Sequence, residues 1–148
     1  MKISTKGRYG LKAMMDLTIN SFGEPVNLKS IAERQNVSEK YLEHIFSALK
    51  KAGLIKSLKG TQGGYILAHE AAQITVGQVI RALEGDLAIA EATSGEEGDA
   101  DILEHCINRN VYQKIDDSVN RLLEGTNLED LLQEYKRMNE HKDYMYYI

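Results

Sequence analysis

Residues 27–67 read NLKSIAERQNVSEKYLEHIFSALKKAGLIKSLKGTQGGYIL, and this stretch decides the fold. It begins with Leu28, Ile31 and Ala32 at the i, i+3, i+4 spacing of one helix face. Asn27 stands directly before them, where an asparagine side chain favours the start of a helix. The pattern predicts a short amphipathic helix.

A second, longer helix is predicted after the break at Asn36 and Val37, with Ser38 as its cap. Its apolar residues form one stripe, while charged residues occupy the opposite face. The stripe consists of Leu42, Ile45, Phe46 and Leu49. Gly53 is placed to end this helix in a left-handed conformation.

Two short strands are predicted next, at residues 54–58 and 64–67, joined by a glycine-containing hairpin loop at 59–63. Two helices and a hairpin in this order are typical of a winged helix-turn-helix. In such a fold the second helix is the recognition helix and the hairpin is the wing. We therefore predict a mainly α-helical fold with a small β-hairpin wing, which reads DNA.

The charge of the chain is divided unevenly. Residues 1–66 contain 11 lysines and arginines and 5 aspartates and glutamates, whereas residues 67–148 contain 7 and 17. The first part carries +6 and the second −10, within a total of −4. This division predicts a polyanion-binding domain and a separate interaction lobe, although charge runs can also be merely solvated faces.

The first helix is predicted to begin near Ser4 and Thr5, and basic residues crowd its first turns. The helix dipole alone favours acidic residues there. Cations placed against that preference, with backbone donors nearby, suit contact with phosphate. The candidates are Lys2, Lys6 and Arg8, followed by Lys12.

Further along, Thr75 is placed to cap a helix that ends near residue 84, and we assign residues 1–85 to the DNA-binding domain. Residues 86–101 lose apolar periodicity and gain glycine, glutamate and aspartate. This composition predicts a flexible acidic loop between two lobes.

Residues 102–148 are predicted to form a dimerisation helix and a C-terminal interaction tail. A long helix over 102–124 carries one apolar stripe, made of Leu103, Ile107, Val111, Ile115, Val119 and Leu122. Thr126 and Glu129 match a capping box that opens another helix. Too little of the chain remains to cover the stripe. We predict that a second copy covers it across a two-fold axis, and the alternative is that the helix folds back on its own domain.

Candidate DNA contacts lie at the start of the recognition helix and in the wing. Glutamate can accept from cytosine, lysine can donate to guanine, and a cation on a narrow loop can enter a minor groove. Alternatively, several of these side chains are only solvated, and the tyrosine belongs to the core. The candidates are Ser38, Glu39, Lys40, Tyr41, Glu43, His44, Ser57, Lys59 and Gly60.

The residue pattern does not predict an enzyme, a metal site or a membrane span. The four histidines have no metal-ligand spacing, and no catalytic triad or carboxylate pair is recognisable. Cys106, the only cysteine, is interpreted as a buried structural thiol, with a redox-reactive thiol as the alternative. One cysteine fits a reducing cytoplasm, and no apolar run approaches the roughly 20 residues that cross a membrane.

The chain closes on Tyr146, Tyr147 and Ile148, which are unusually apolar for a terminus. Left in water, they would expose apolar area. They are predicted either to pack on the dimer lobe or to insert the terminal carboxylate into a donor-rich pocket of another protein.

Three segments are informative together: MKISTKGRYGLKAMMDL at 1–17, SIAERQNVSEKYLEHIFSALKKAGLIKSLKGTQGGYIL at 30–67, and ITVGQVIRALEG at 74–85. They resemble the Rrf2 family of bacterial repressors. The resemblance implies a cytoplasmic, dimeric winged-helix transcription factor with a long dimerisation helix. It also implies DNA contacts by Lys40, Tyr41, Glu43, Ser57, Lys59 and Gly60. Arginine is usual at the position of Lys59 in cluster-binding members, and lysine keeps the charge without the bidentate fork.

Cluster-binding members of that family carry three cysteines before the dimerisation helix. This chain has Ala92 and Gly98 near two of those places and Cys106 near the third. An iron–sulfur cluster takes three or four protein ligands, and a dimer would offer two cysteines. We therefore expect no cofactor.

The segment LEGTNLEDLL and the closing YMYYI resemble a cluster-free branch of the family, which represses cysteine metabolism genes and acts with cysteine synthase. This implies a dimeric repressor that binds an imperfect palindrome, with Tyr146, Tyr147 and Ile148 at the partner enzyme. Two alternatives stay open. One is a regulator with Cys106 as a thiol switch for oxidative or nitrosative stress, and the other is a winged-helix protein-interaction module without DNA binding.

Overall fold

The first three helices form where the apolar stripes predict them. A computed structural model describes residues 1–91 and 101–146, with side chains to residue 142. The helices are α1 (Thr5–Asn20), α2 (Leu28–Gln35) and α3 (Glu39–Lys51). Asn36, with a left-handed φ of 53°, makes the tight turn between α2 and α3.

The wing is a two-stranded hairpin that is fastened to the chain before α2. Its strands β1 (Ile55–Leu58) and β2 (Gly64–Leu67) pair antiparallel. The N–H of Val26 donates to the Tyr65 carbonyl at 2.9 Å, and the N–H of Tyr65 donates to the Val26 carbonyl at 2.8 Å. Gly64 permits this approach, since a Cβ there would lie 2.5 Å from the Val26 carbonyl oxygen. The predicted fold, mainly helical with a small β-hairpin wing, is confirmed.

After the wing come a 3-10 turn at Ala71–Gln73 and α4 (Val76–Glu84). The predicted long helix consists of α5 (Ile102–Ile107) and α6 (Gln113–Gly125), joined through a π-helical stretch at Asn108–Tyr112. Apolar residues spaced by four drift by about 40° per step around an α-helix of 3.6 residues per turn. A wider π-helical turn offsets that drift, and the apolar pattern alone does not reveal it.

The last helix, α7 (Leu128–Tyr146), opens one residue later than predicted. Asn127 Oδ1 accepts from the Asp130 N–H at 2.8 Å, and Asp130 Oδ2 accepts from the Asn127 N–H at 3.0 Å. The predicted pair of Thr126 and Glu129 was wrong, because Asn127 and Asp130 make the reciprocal bonds and the Thr126 carbonyl accepts from the Val76 N–H at 2.8 Å.

The core joins the winged helix-turn-helix to the start of α7. Leu128 is 0% exposed and belongs to the same cluster of buried residues as the stripe of α3. The Leu128 N–H also donates to the Ile74 carbonyl at 2.9 Å. Part of the C-terminal segment therefore belongs to the same core as the recognition helix.

One buried ion pair fastens α1 to α2. Asp16 is 4% exposed, and Arg34 donates to it through Nη2 at 2.8 Å and through Nε at 3.0 Å. The amide of Gln35 adds a bond of 2.8 Å to the same carboxylate. Every charge-bearing oxygen of this aspartate thus has donors, as burial requires.

None of the helices described is long and apolar enough to cross a membrane. The predicted acidic loop falls partly outside the described residues, at 92–100. The predicted partner contacts fall outside them as well, since Tyr147 and Ile148 are not described and the side chain of Tyr146 is not.

Candidate nucleic-acid interface

The recognition helix turns its apolar stripe inward and its candidate base contacts outward. All four stripe residues of α3 are 1% exposed or less. The exposed side chains at its start are Ser38, Glu39, Lys40, Glu43 and His44. Ser38 Oγ caps the helix by accepting from the Tyr41 N–H at 3.1 Å, which leaves its hydroxyl proton to donate elsewhere.

Tyr41 differs from the other candidates because it is half-buried. Its ring meets Tyr9 of α1 edge to face, with the ring centroids 6.1 Å apart. Lys12 Nζ lies 5.7 Å from the centroid of the Tyr9 ring. Tyr41 therefore packs α3 against α1, as the core alternative predicted, and keeps part of its surface in solvent.

The wing presents Lys59 and Gly60 in solvent, with Ser57 half-buried on β1. Gly60 has a φ of 122°, which favours glycine at the tip of the loop. Lys50, at the end of α3, donates to Ser57 Oγ at 2.8 Å. Since that oxygen is already an acceptor, the Ser57 hydroxyl is left to act as a donor. No local spacing pattern predicts this link between the recognition helix and the wing.

The basic N-terminal arm, defined here as the non-helical residues 1–4 together with the first turn of α1 up to residue 8, has two of its backbone donors occupied by a side chain of the chain itself. Glu84, the last residue of α4, accepts from the Ser4 N–H at 2.8 Å and from the Gly7 N–H at 3.1 Å. The Ser4 hydroxyl donates to the same Oε1 oxygen. Two of the predicted donors, the Ser4 and Gly7 N–H groups, are therefore occupied by a carboxylate of the chain itself.

The side chains of the arm are better placed for phosphate than its backbone. Lys2 and Arg8 are exposed and Lys6 is half-buried. The hydrogen bond from the Ser4 hydroxyl, together with the two N–H donors and the nearby Lys6, lowers the pKa of the Glu84 carboxyl. The Glu84 carboxylate thus carries its negative charge near Lys6.

The long helix has one side packed and one side exposed. Leu123 is buried, and Arg81 of α4 donates to Asn120 Oδ1 of α6 at 2.8 Å, so the fold-back alternative holds for this side. Most of the predicted stripe is exposed nevertheless, with Leu103 at 67%, Ile115 at 40% and Leu122 at 68%. Such a row of apolar side chains is typical of an interaction surface.

The segment before residue 92 lies against the same long helix. Asp116 accepts from the Ile89 N–H at 3.0 Å and from the Ala90 N–H at 2.9 Å. Asn108, buried within the π-helical stretch, accepts from the Glu91 N–H at 3.0 Å. Sequence reasoning missed both contacts because neither side chain stands in a recognisable motif.

Cys106 is exposed on α5, so the interpretation as a buried thiol was wrong. Within residues 1–91 and 101–146 there is no group of three His, Cys, Asp or Glu side chains that could hold a metal ion.

Comparison with known proteins identifies the family. The model of the Rrf2 family, described as iron-dependent transcriptional regulators, matches residues 3–134. The chain belongs to the Rrf2 family. The resemblance inferred from the three sequence segments is confirmed.

Relatives within this family are named as transcriptional regulators. The HTH-type regulator CymR of Bacillus subtilis (strain 168) is 43% identical over 148 residues, which is 100% of both chains. The HTH-type regulator IscR of Klebsiella pneumoniae (strain 342) is 36% identical over 146 residues, covering 96% of this chain and 90% of the relative. The solved structure of CymR, the global cysteine regulator of B. subtilis, gives a TM-score of 0.76 at 43% identity, covering 90% of this chain and 98% of that one. This chain is therefore a transcriptional regulator of the CymR and IscR type.

The iron in the family description does not fit a cluster site on this chain. An iron–sulfur cluster takes three or four protein ligands, mostly thiolates, and the sequence has one cysteine. That cysteine lies exposed on α5, where its neighbour Asn110 donates to the Cys106 carbonyl at 2.8 Å. We derive no sensing step through a cluster.

Proposed function

We propose that this Rrf2-family chain is a dimeric DNA-binding repressor that occupies an imperfect palindrome and blocks the promoter. The observation that carries the proposal is the exposed polar row at the start of α3, set on a fully buried apolar stripe. The charge of +6 over residues 1–66 supports a polyanionic ligand. DNA reading belongs to residues 1–85 and dimerisation to residues 102–148, and the protein acts in the cytoplasm.

Exposed lysines of the recognition helix and the wing provide the test of DNA binding. We expect Lys40→Ala and Lys59→Ala to weaken binding to a duplex from upstream of the protein's own gene. Each lost phosphate contact reduces the slope of log K against log salt by about 0.9. Lys136→Ala on α7, also exposed, is the matched control and leaves binding unchanged. A DNA affinity that changes neither with salt nor with either substitution contradicts the proposal and favours the protein-interaction module.

Two surfaces of the chain support the dimer. The stripe on α5 and α6 is exposed, and a groove of about 540 Å³ runs between α1 and α7. The apolar side chains of this groove are Leu11, Met15, Ile19, Leu131 and Tyr135. We propose that a second copy covers these surfaces reciprocally, which satisfies both across one two-fold axis.

We assign the regulon to cysteine and sulfur metabolism, by similarity to a relative named as the global cysteine regulator of B. subtilis. We propose cysteine synthase as a partner, bound through Tyr146, Tyr147 and Ile148. These residues lie outside the part of the chain that the structure describes, so the proposal rests on their sequence. Removal of the last four residues, followed by titration with cysteine synthase, is expected to abolish the complex, and unchanged complex formation contradicts the proposal.

The exposure of Cys106 favours a second candidate, a thiol-based regulator of oxidative or nitrosative stress. In that function Cys106→Ser abolishes the response of DNA binding to peroxide and to nitric oxide. A response that persists in Cys106→Ser excludes this thiol as the sensor. A gel shift on the protein's own promoter separates both regulators from the protein-interaction module.

A further inference from the structure

One carboxylate oxygen gathers three donors where α1 meets the end of α4. The donors are the N–H and the hydroxyl of Ser4 and the N–H of Gly7, and the acceptor is Glu84 Oε1. Gly7 lies so close that a Cβ there would be 2.2 Å from this oxygen. The contact joins positions 80 residues apart and therefore fixes the start of α1 against the end of α4 within the DNA-binding domain.

We propose that Glu84 is a positioning residue for DNA binding, which holds the basic N-terminal arm so that Lys2, Lys6 and Arg8 meet the phosphate backbone. This inference rests on the proposed DNA-binding function. Glu84 itself touches no DNA in this arrangement.

The direction of the arm depends on Ser4. Residues 1–4 precede α1 and are not helical, so no helical backbone hydrogen bonds hold them in place. Arg8 Nε, on the first turn of α1, donates to the Ile3 carbonyl at 3.1 Å, which folds residues 1–4 back onto α1. The backbone N–H and the hydroxyl of Ser4, the residue directly before α1, both donate to Glu84. Loss of this acceptor frees residues 1–4 and loosens the first turn of α1, which carries Lys6 and Arg8.

The anchor is itself held by the long helix. Arg81 stands one turn before Glu84 on α4, donates to Asn120 at 2.8 Å and lies 3.5 Å from a Glu124 carboxylate oxygen. Gly77, one turn earlier again, lies so close to Leu123 that a Cβ there would be 3.1 Å from the Leu123 Cβ. One face of α4 therefore connects the predicted dimerisation helix to the arm, and the helix that carries Glu84 is itself held in place by α6.

Charge alone predicts the opposite effect of Glu84. A carboxylate near DNA repels phosphate, so its removal would tighten binding if no positioning were involved. Salt screens this repulsion beyond a Debye length of about 8 Å at physiological ionic strength. The arm carries three cations, and each phosphate contact contributes about 0.9 to the salt slope. We therefore expect positioning to outweigh repulsion.

Glu84→Asp tests this directly, because it keeps the charge and shortens the reach by one methylene. With the promoter duplex and a non-specific duplex, we expect Glu84→Asp to weaken binding several-fold. The salt slope falls by about 0.9 for each cation that loses its phosphate. Glu84→Gln keeps the shape of the side chain and replaces the carboxylate with a weaker acceptor. We expect its loss of DNA affinity to lie between wild type and Glu84→Asp. Glu70→Gln, an exposed glutamate that makes no capping hydrogen bond, is the control and leaves the slope unchanged.

Three results overturn the inference. The first is a wild-type salt slope in Glu84→Asp, including the case in which only the melting temperature falls. The second is tighter binding by Glu84→Gln, which indicates repulsion alone. The third comes from amide hydrogen exchange of the free protein: Ser4 and Gly7 are expected to exchange faster in Glu84→Asp, and unchanged exchange removes the anchor. A wild-type chain that binds neither duplex overturns the proposed function instead, while the exchange measurement still decides the anchor.

Discussion

Two apolar stripes of similar helical pattern have opposite surroundings in this molecule. The stripe of α3 is fully buried, and Leu49 at its end is 0% exposed. The stripe of α5 and α6 is largely exposed, and Leu122 near its end is 68% exposed. The recognition helix α3 is surrounded by α1, α2, α4 and the wing, whereas α6 of the long helix packs one side against α4.

This difference separates two uses of amphipathicity. Burial of an apolar stripe within the chain stabilises the monomer, by about 25 cal/mol for each Å² removed from water. An exposed stripe leaves the same free energy available for association with another surface. The apolar stripe of the recognition helix is therefore buried when the monomer folds, whereas burial of the stripe on the long helix requires association with another surface.

Matched leucine substitutions give the largest expected contrast. Leu49→Ala is expected to lower the free energy of unfolding by about 2–5 kcal/mol, because it removes buried methyl groups and leaves a cavity. Leu122→Ala is expected to change that of the dilute monomer by no more than about 0.5 kcal/mol. Urea unfolding at low protein concentration measures both. Equal losses would contradict the contrast between the two stripes.

The buried region also contains one carboxylate, Asp16. Asp16→Asn removes the negative charge and one of the two acceptor oxygens that Arg34 and Gln35 share, and is expected to cost about 1–3 kcal/mol. The Arg34 side chain is 40% exposed, and its partial return to water limits the loss. Asp117→Asn, at an exposed aspartate of α6, is the control in the same unfolding experiment. A loss as small as that of the control would show that the ion pair contributes little.

The exposed stripe is tested at its centre by Ile115→Asp. A charge there is expected to weaken the dimer at least about tenfold, equivalent to about 1.4 kcal/mol, while the helix content of the monomer stays unchanged. DNA affinity falls with the dimer, since two recognition helices no longer bind together. Sedimentation against protein concentration measures the change. Lys114→Gln lowers the charge by the same amount beside the stripe, and a similar effect from it would point to charge rather than to the stripe.

The sequence predicted the structure of these two regions to different extents. The stripe of α3, its Ser38 cap and the wing follow from local spacing, so their positions could be predicted. The Glu84–Ser4 and Asp16–Arg34 contacts join residues 80 and 18 positions apart, and no local spacing announces them. The π-helical stretch and the exposure of Cys106 were missed for a related reason, since periodicity shows which residues share a helix face and not what covers it.

The smallest expected effect concerns pH and the Glu84 anchor. The Ser4 hydroxyl and the neighbouring donors lower the pKa of Glu84 in the folded protein below its value in the unfolded chain. The stabilisation from this contact is therefore fully present above the unfolded pKa, near pH 4.3, and is lost as the pH falls through the lower folded pKa. We expect the melting temperature of wild type to exceed that of Glu84→Gln at neutral pH. The two should converge as the solution is acidified below about pH 4. Melting curves of the two proteins across this range measure the difference. A gap that stays constant down to the acid limit would show that the charge of the carboxylate does not contribute to the contact.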